Sequence, residues 1–141
     1  MRRTQPETLL KTHGLRRTRA RLRILEVLKA ARKPLSQAGI LAHLGTPRPD
    51  RVSVYRALDA FVEAGFLHRA YVDDRTSMFE LADRCGPTMC HPHFYCRKCR
   101  EIFCLPDSKV PRISRLPKGF IVERQKVSLE GLCPKCRASG D

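Results

Sequence analysis

Three helical stretches followed by a hairpin signal occupy the first half of the chain, and all seven cysteines fall in the second half. Together they predict an α+β fold with an N-terminal winged helix-turn-helix and a small C-terminal α/β unit. The chain's 141 residues can bury one ordinary core or two small ones. Units below about 80 residues usually need a metal, a disulfide or a partner for support. Cys85, Cys90, Cys96, Cys99, Cys104, Cys133 and Cys136 offer that support to the second unit, and none precedes residue 85. The pattern divides the chain into 1–82, a hinge at 83–87 where Gly86 and Pro87 interrupt it, and 88–141.

Thr18 is placed to cap a helix from Arg19 to about Ala31, in which Leu22, Leu25 and Leu28 recur and Ile24 and Val27 widen the apolar face. Pro34 ends that segment. Ser36 caps a short helix bearing Ile40, Leu41 and Leu44, and Gly45 to Asp50 form a rigid turn. A third helix runs from about Arg51 to Ala64. Its Val54, Leu58, Phe61 and Val62 face inward, leaving Arg51, Ser53, Tyr55, Arg56 and Asp59 outside, and Gly65 suits the left-handed residue past its end. Residues 66–72 and 77–81 then read as a hairpin around Asp73-Asp74-Arg75-Thr76. Beyond the hinge, residues 93–96, 101–105 and 120–129 read as strands of a small sheet. Pro106, Pro111 and Pro117 leave room for only a short helix between the last two.

Charge narrows the function. Twenty-eight Lys and Arg against 14 Asp and Glu give +14, so a polyanion is the natural partner: nucleic acid first, anionic lipid as the competitor. Met1-Arg2-Arg3 leads into polar Thr4-Gln5-Pro6-Glu7, and no run of 18 apolar residues occurs. Neither a signal peptide nor a membrane partner is therefore expected, and a cytoplasmic location is. Thiols stay reduced there, which favours metal ligation over disulfides. No nucleophile-elbow, phosphate-loop or paired-carboxylate motif points to an enzyme.

Cys96-x-x-Cys99 and Cys133-x-x-Cys136 are knuckles separated by 33 residues. Two-residue spacing lets both sulfurs reach one ion, and four thiolates complete the tetrahedron of a structural zinc; a redox dithiol is the alternative. A second ligand cluster, Cys85-Gly86-Pro87-Thr88-Met89-Cys90-His91-Pro92-His93, adjoins it. His91 and His93 fall on one side of an extended strand, so both imidazoles can meet one ion.

With these pieces in order, the sequence resembles the ferric uptake regulator family over nearly its whole length, and most of all its zinc uptake regulator branch. The matching stretches are Gly14-Leu15-Arg16-Arg17-Thr18-Arg19-Ala20-Arg21, Ser53-Val54-Tyr55-Arg56-Ala57-Leu58, Glu63-Ala64-Gly65-Phe66, Met78-Phe79-Glu80-Leu81 and His91-x-His93-x-x-Cys96-x-x-Cys99. The resemblance implies a metal-dependent repressor of metal-homeostasis genes whose C-terminal unit is a dimerisation domain. It further implies a homodimer on palindromic double-stranded DNA. Tyr55 and Arg56, with Arg51 and Ser53, would meet the operator from the recognition helix, while Lys11, Arg16, Arg17 and Arg19 would contact phosphates or the minor groove.

The resemblance also implies a second, labile metal. His68 stands where zinc-sensing members place His or Asp, and Cys85 matches a zinc-sensor ligand, so the expected regulatory set is His68, Cys85, His91 and His93 with zinc bound. Glu80, where iron sensors place a carboxylate, and Cys104, in place of an acidic ligand, are the alternates. Two departures subtract sites: Pro34 replaces a family His, and Cys90, Pro92 and Pro111 occupy the places of a further metal site, which is therefore not expected. Iron, manganese or peroxide sensing within the family, and a zinc-ribbon RNA-binding protein outside it, are the competing readings.

Overall fold

The structure, a computed structural model, describes residues 4–71, 76–82 and 91–140. The expected hinge at 83–87, Cys85, Cys90 and most of the hairpin turn lie outside the described residues. The chain divides into two compact units, Met1–Asp83 and Arg84–Asp141.

In the N-terminal unit, helix α1 (Pro6–Thr12) starts with proline at its first position, where a missing N–H costs no hydrogen bond, and buries Leu9 and Leu10. Helix α2 (Arg19–Ala31) is capped by Thr18, whose hydroxyl accepts from the Arg21 amide at 3.2 Å. Strand β1 (Leu35–Ser36) leads into α3 (Gln37–Leu44), where the Ser36 hydroxyl accepts from the Gly39 amide at 3.0 Å. Helix α4 (Arg51–Glu63) is followed by Gly65 at φ +86°, a conformation that a Cβ would strain. The wing is β2 (Leu67–Tyr71) paired antiparallel with β3 (Ser77–Leu81), and β1 adds to the far edge of β3 with Leu35 opposite Phe79.

The α4 residues Val54, Ala57, Leu58 and Phe61 recur every three or four positions on one face. They pack with Leu10, Ile24, Leu25, Ile40 and Phe66 in a single core. Val62, expected inside, is only partly buried. The opposite face of α4 is thereby fixed toward solvent. Across the wing, Arg69 of β2 pairs with Asp59 of α4 and lies 5.7 Å from the centre of the Phe79 ring, so α4 and the wing are joined by charge and by stacking.

In the C-terminal unit, β4 (His93–Cys96) is central, with β5 (Ile102–Cys104) antiparallel on one side and β6 (Ser128–Gly131) parallel on the other. Helix α5 (Pro134–Ala138) follows. The strand expected over 120–129 forms only from Ser128. Alternating residues make a strand only where a neighbour completes the hydrogen-bond ladder, and β4 meets this segment first at His93 opposite Ser128. The short helix expected between the last two strands does not form: residues 105–127 are turns and irregular chain with an isolated bridge at Gln125. Pro106, Pro111 and Pro117 each withdraw a donor from any helical ladder there.

Asp50 caps α4, accepting from the Ser53 amide at 2.9 Å and the Ser53 hydroxyl at 2.6 Å. The Ser53 hydroxyl and then its amide hold this carboxyl below its ordinary 3.8. A depressed folded-state pKa contributes stability that is complete above the unfolded value and lost as pH falls through the folded value. Asp50→Ala should therefore lower the unfolding midpoint at neutral pH, and the difference from wild type should shrink as pH drops below about 4. A difference that stays constant in urea unfolding across that range would remove the charged cap as its cause.

Candidate metal centres and nucleic-acid interface

The first centre is built where β4 ends. Cys96 closes that strand, Cys99 lies in the turn after it, Cys133 precedes α5 and Cys136 lies within it. The turn reverses tightly: the Arg100 amide donates to the Cys96 carbonyl at 2.8 Å, and Arg100 sits at φ +62°. The other knuckle is carried in by β6, whose Gly131 carbonyl accepts from the Arg97 amide at 2.9 Å. A Cβ on Gly131 would stand 3.2 Å from the Phe94 ring, so a small residue is needed for the strands to approach.

All four sulfurs lie within 4.8 Å of one another, and Cys99 Sγ and Cys133 Sγ are 3.9 Å apart. A tetrahedron of Zn–S bonds near 2.3 Å has edges of about 3.8 Å, so the donor set fits a tetrathiolate metal. The Cys133 amide donates to Cys96 Sγ at 3.3 Å. That bond, followed by one from the Cys99 amide, lowers the Cys96 thiol to about 6. Burial, and then the neighbouring sulfurs, push Cys136 up to about 12. Four thiolates crowded together need a cation to coexist, and a bound metal supplies that charge.

The second group lies at the opposite end of β4. His93 faces Cys104 directly across the β4–β5 pair, and the ring centres of His91 and His93 are 4.6 Å apart. The ligand atoms of His91, His93 and Cys104 all lie within 4.8 Å of one another. His91 is buried, and the other two are half-buried. Sequence spacing joined the two histidines but left Cys104 an alternate. Cross-strand register is what brings the thiol to them.

In the N-terminal unit, His68 of β2 stands opposite Glu80 of β3, with Nε2 and Oε1 2.6 Å apart and both side chains buried. The expected ligand and one of its alternates thus form a pair.

On α4, Arg51, Tyr55 and Arg56 are exposed, while the Ser53 hydroxyl is committed to Asp50. Lys11, Arg16, Arg17 and Arg19 are also exposed. Val52 is 58% exposed on the helix that carries Tyr55 and Arg56. A thymine methyl is a suitable contact for it. No helix among the described residues is long and apolar enough to cross a membrane.

The ferric uptake regulator family profile matches residues 12–129. A ferric uptake regulation protein from Bordetella parapertussis is 32% identical over 134 residues, covering 91% of this chain and 94% of that protein. The zinc uptake regulation protein of Escherichia coli is 26% identical over 137 residues, covering 94% and 79%. Among solved structures, a zinc uptake regulator complexed with zinc and DNA superposes with a TM-score of 0.64 at 24% identity, covering 96% of this chain and 92% of that one.

Cys133→Ser should abolish metal retention at the tetrathiolate centre and leave the C-terminal unit open to protease, while the cysteine-free N-terminal unit keeps its helical signal. Elemental analysis with limited proteolysis reads both effects. Wild-type metal content with wild-type protease resistance would show the clamp to be dispensable.

Proposed function

The chain belongs to the ferric uptake regulator family and is a metal-responsive transcriptional regulator, and from that premise we propose that it is a cytoplasmic, zinc-responsive repressor acting as a homodimer on palindromic operators. The convergence of His91, His93 and Cys104 carries the metal assignment. Two imidazoles and a thiolate suit zinc, which accepts mixed nitrogen and sulfur donors in a tetrahedron; ferrous and manganous ions draw more oxygen ligands. The sequence offers His68, Glu80 and Cys85 to complete the set, and the tetrathiolate holds the structural zinc.

Dimerisation is supported by the exposed apolar side chains of the C-terminal unit. Ile113, Leu116, Phe120, Ile121 and Val122 lie within ten residues of chain and all face solvent. A contiguous apolar stretch of this kind fits an association surface. Metal binding then acts by population shift. It favours the dimer arrangement that presents two recognition helices about 34–36 Å apart, or a multiple of that, and the coupling equals the metal's differential affinity for that arrangement.

Ferrous or manganous sensing is the second reading, favoured by the buried Glu80 carboxylate. Titrating operator affinity with zinc, ferrous iron and manganese, after removing only the labile metal, separates the two. Zinc should restore binding at the lowest free concentration, and a manganese or iron optimum would replace the zinc assignment.

His91→Ala should abolish the metal response yet keep the dimer and one tightly held zinc per chain. Glu80→Ala and Cys85→Ala then identify which residue joins the set. Tyr55→Ala and Arg56→Ala should each weaken operator binding by roughly 1–3 kcal/mol. An unchanged operator preference in Arg56→Ala would exclude base reading by that side chain.

A further inference from the structure

Among the described residues of the N-terminal unit, two large apolar side chains are exposed, Val52 at 58% and Tyr55 at 51%, and both belong to α4. Elsewhere the core accommodates marginal members: Leu22, Val27 and Val62 are partly buried against it. Val52 is left outside. It is the second residue of α4, three before Tyr55 and four before Arg56. At 3.6 residues per turn it lies between them around the helix axis, about 60° from the tyrosine and about 40° from the arginine. A lone exposed apolar residue is ordinary. Two neighbours on one helix face, in a unit that draws its other large apolar side chains inward among the described residues, make a patch.

The rest of this face limits what the patch can meet. Arg51 and Arg56 are exposed cations, and Val54 is buried. The Ser53 hydroxyl donates to the Asp50 carboxylate at 2.6 Å and the Ser53 amide donates to it at 2.9 Å, so the donors of Ser53 are already committed. The start of α4 therefore sets hydrocarbon beside positive charge on a capped, fixed turn. In the major groove of DNA, adenine, guanine and cytosine present polar groups, whereas thymine adds a C5 methyl. An isopropyl group has no hydrogen bond to offer. It gains by removing that methyl from water and loses where it would desolvate the cytosine amino group. Residues at the N-terminal end of a recognition helix are those that reach base edges. A β-branched side chain there is already stiff and has little rotational freedom to lose on contact.

We propose that Val52 is a specificity-determining residue of the DNA interface, seating the C5 methyl of a thymine in the major groove of the operator. The proposal rests on the operator-binding reading above. It divides the work on α4: Arg56 supplies the charged contact, and Val52 distinguishes thymine from cytosine by shape and hydration.

The test uses full-length, metal-loaded protein and a duplex that the wild type selects from a random library. Replacing its thymines one at a time by uracil removes the methyl and keeps every hydrogen-bonding group. At one base pair the replacement should weaken wild-type binding roughly fourfold, the worth of one buried methylene-sized group. V52A should bind the parent and uracil duplexes equally at that base pair, yet keep the wild-type response to uracil everywhere else. V52I retains branched hydrocarbon and should retain the penalty. An unfolding midpoint for V52A equal to the wild type's shows the fold intact. Equal uracil penalties in V52A and wild type at every position overturn the proposal. So does a V52A defect of the same size on selected and unrelated duplexes, which would make Val52 a general contact. Wild-type protein indifferent to uracil at all positions overturns it without recourse to any variant. Arg56→Ala separates these results from failure of the operator reading: it should still change the selected preference if only Val52 is misassigned, whereas wild-type protein that selects no duplex overturns both.

Discussion

The C-terminal unit depends on the mutual approach of four sulfurs. Its buried apolar side chains among the described residues are Cys96, Ile102 and Cys133, and two of those three belong to the sulfur cluster. A unit this small cannot be held by area burial alone, because the apolar surface removed from water is too little to offset the entropy of ordering the backbone. The sulfur cluster takes the place of a core. It ties α5 to the end of β4 and so keeps β6 in its parallel register, and that sheet carries His93 and Cys104 of the second group.

The N-terminal unit rests on the opposite principle. Seventeen buried residues from all its helices and strands form one cluster, so α4 is positioned by packing and needs no ion. The Asp59–Arg69–Phe79 chain of interactions extends that positioning into the wing. Helix α4 and the wing are therefore held together within one packed unit.

Much of this was legible in the residues. The caps at Thr18 and Ser36, the apolar stripe of α4 and the left-handed Gly65 follow from local chemistry, and two cysteine pairs at two-residue spacing favoured a metal over a redox dithiol. What escaped depends on pairing across distance. Strand β1 is two residues long and has no period to detect; it exists because Leu35 finds Phe79. Asp50, read as part of a proline-bounded turn, also caps the recognition helix. Alternation over 120–129 promised a strand, but apart from an isolated bridge at Gln125 a continuous ladder begins only at Ser128. Cys104 belongs with the histidines through the register of β4 and β5, which no spacing rule states.

The parallel pairing of β4 with β6 has a consequence for synthesis. Parallel neighbours cannot be joined by a tight turn, and here the chain leaves Cys96 and returns only at Ser128 before Cys133 and Cys136 emerge. The N-terminal unit, free of cysteine, is synthesised in full before the second knuckle leaves the ribosome. Closing so long a loop carries an entropic cost that only late-forming interactions and the metal repay. Each new polypeptide thus completes its packed N-terminal core first and its sulfur cluster last.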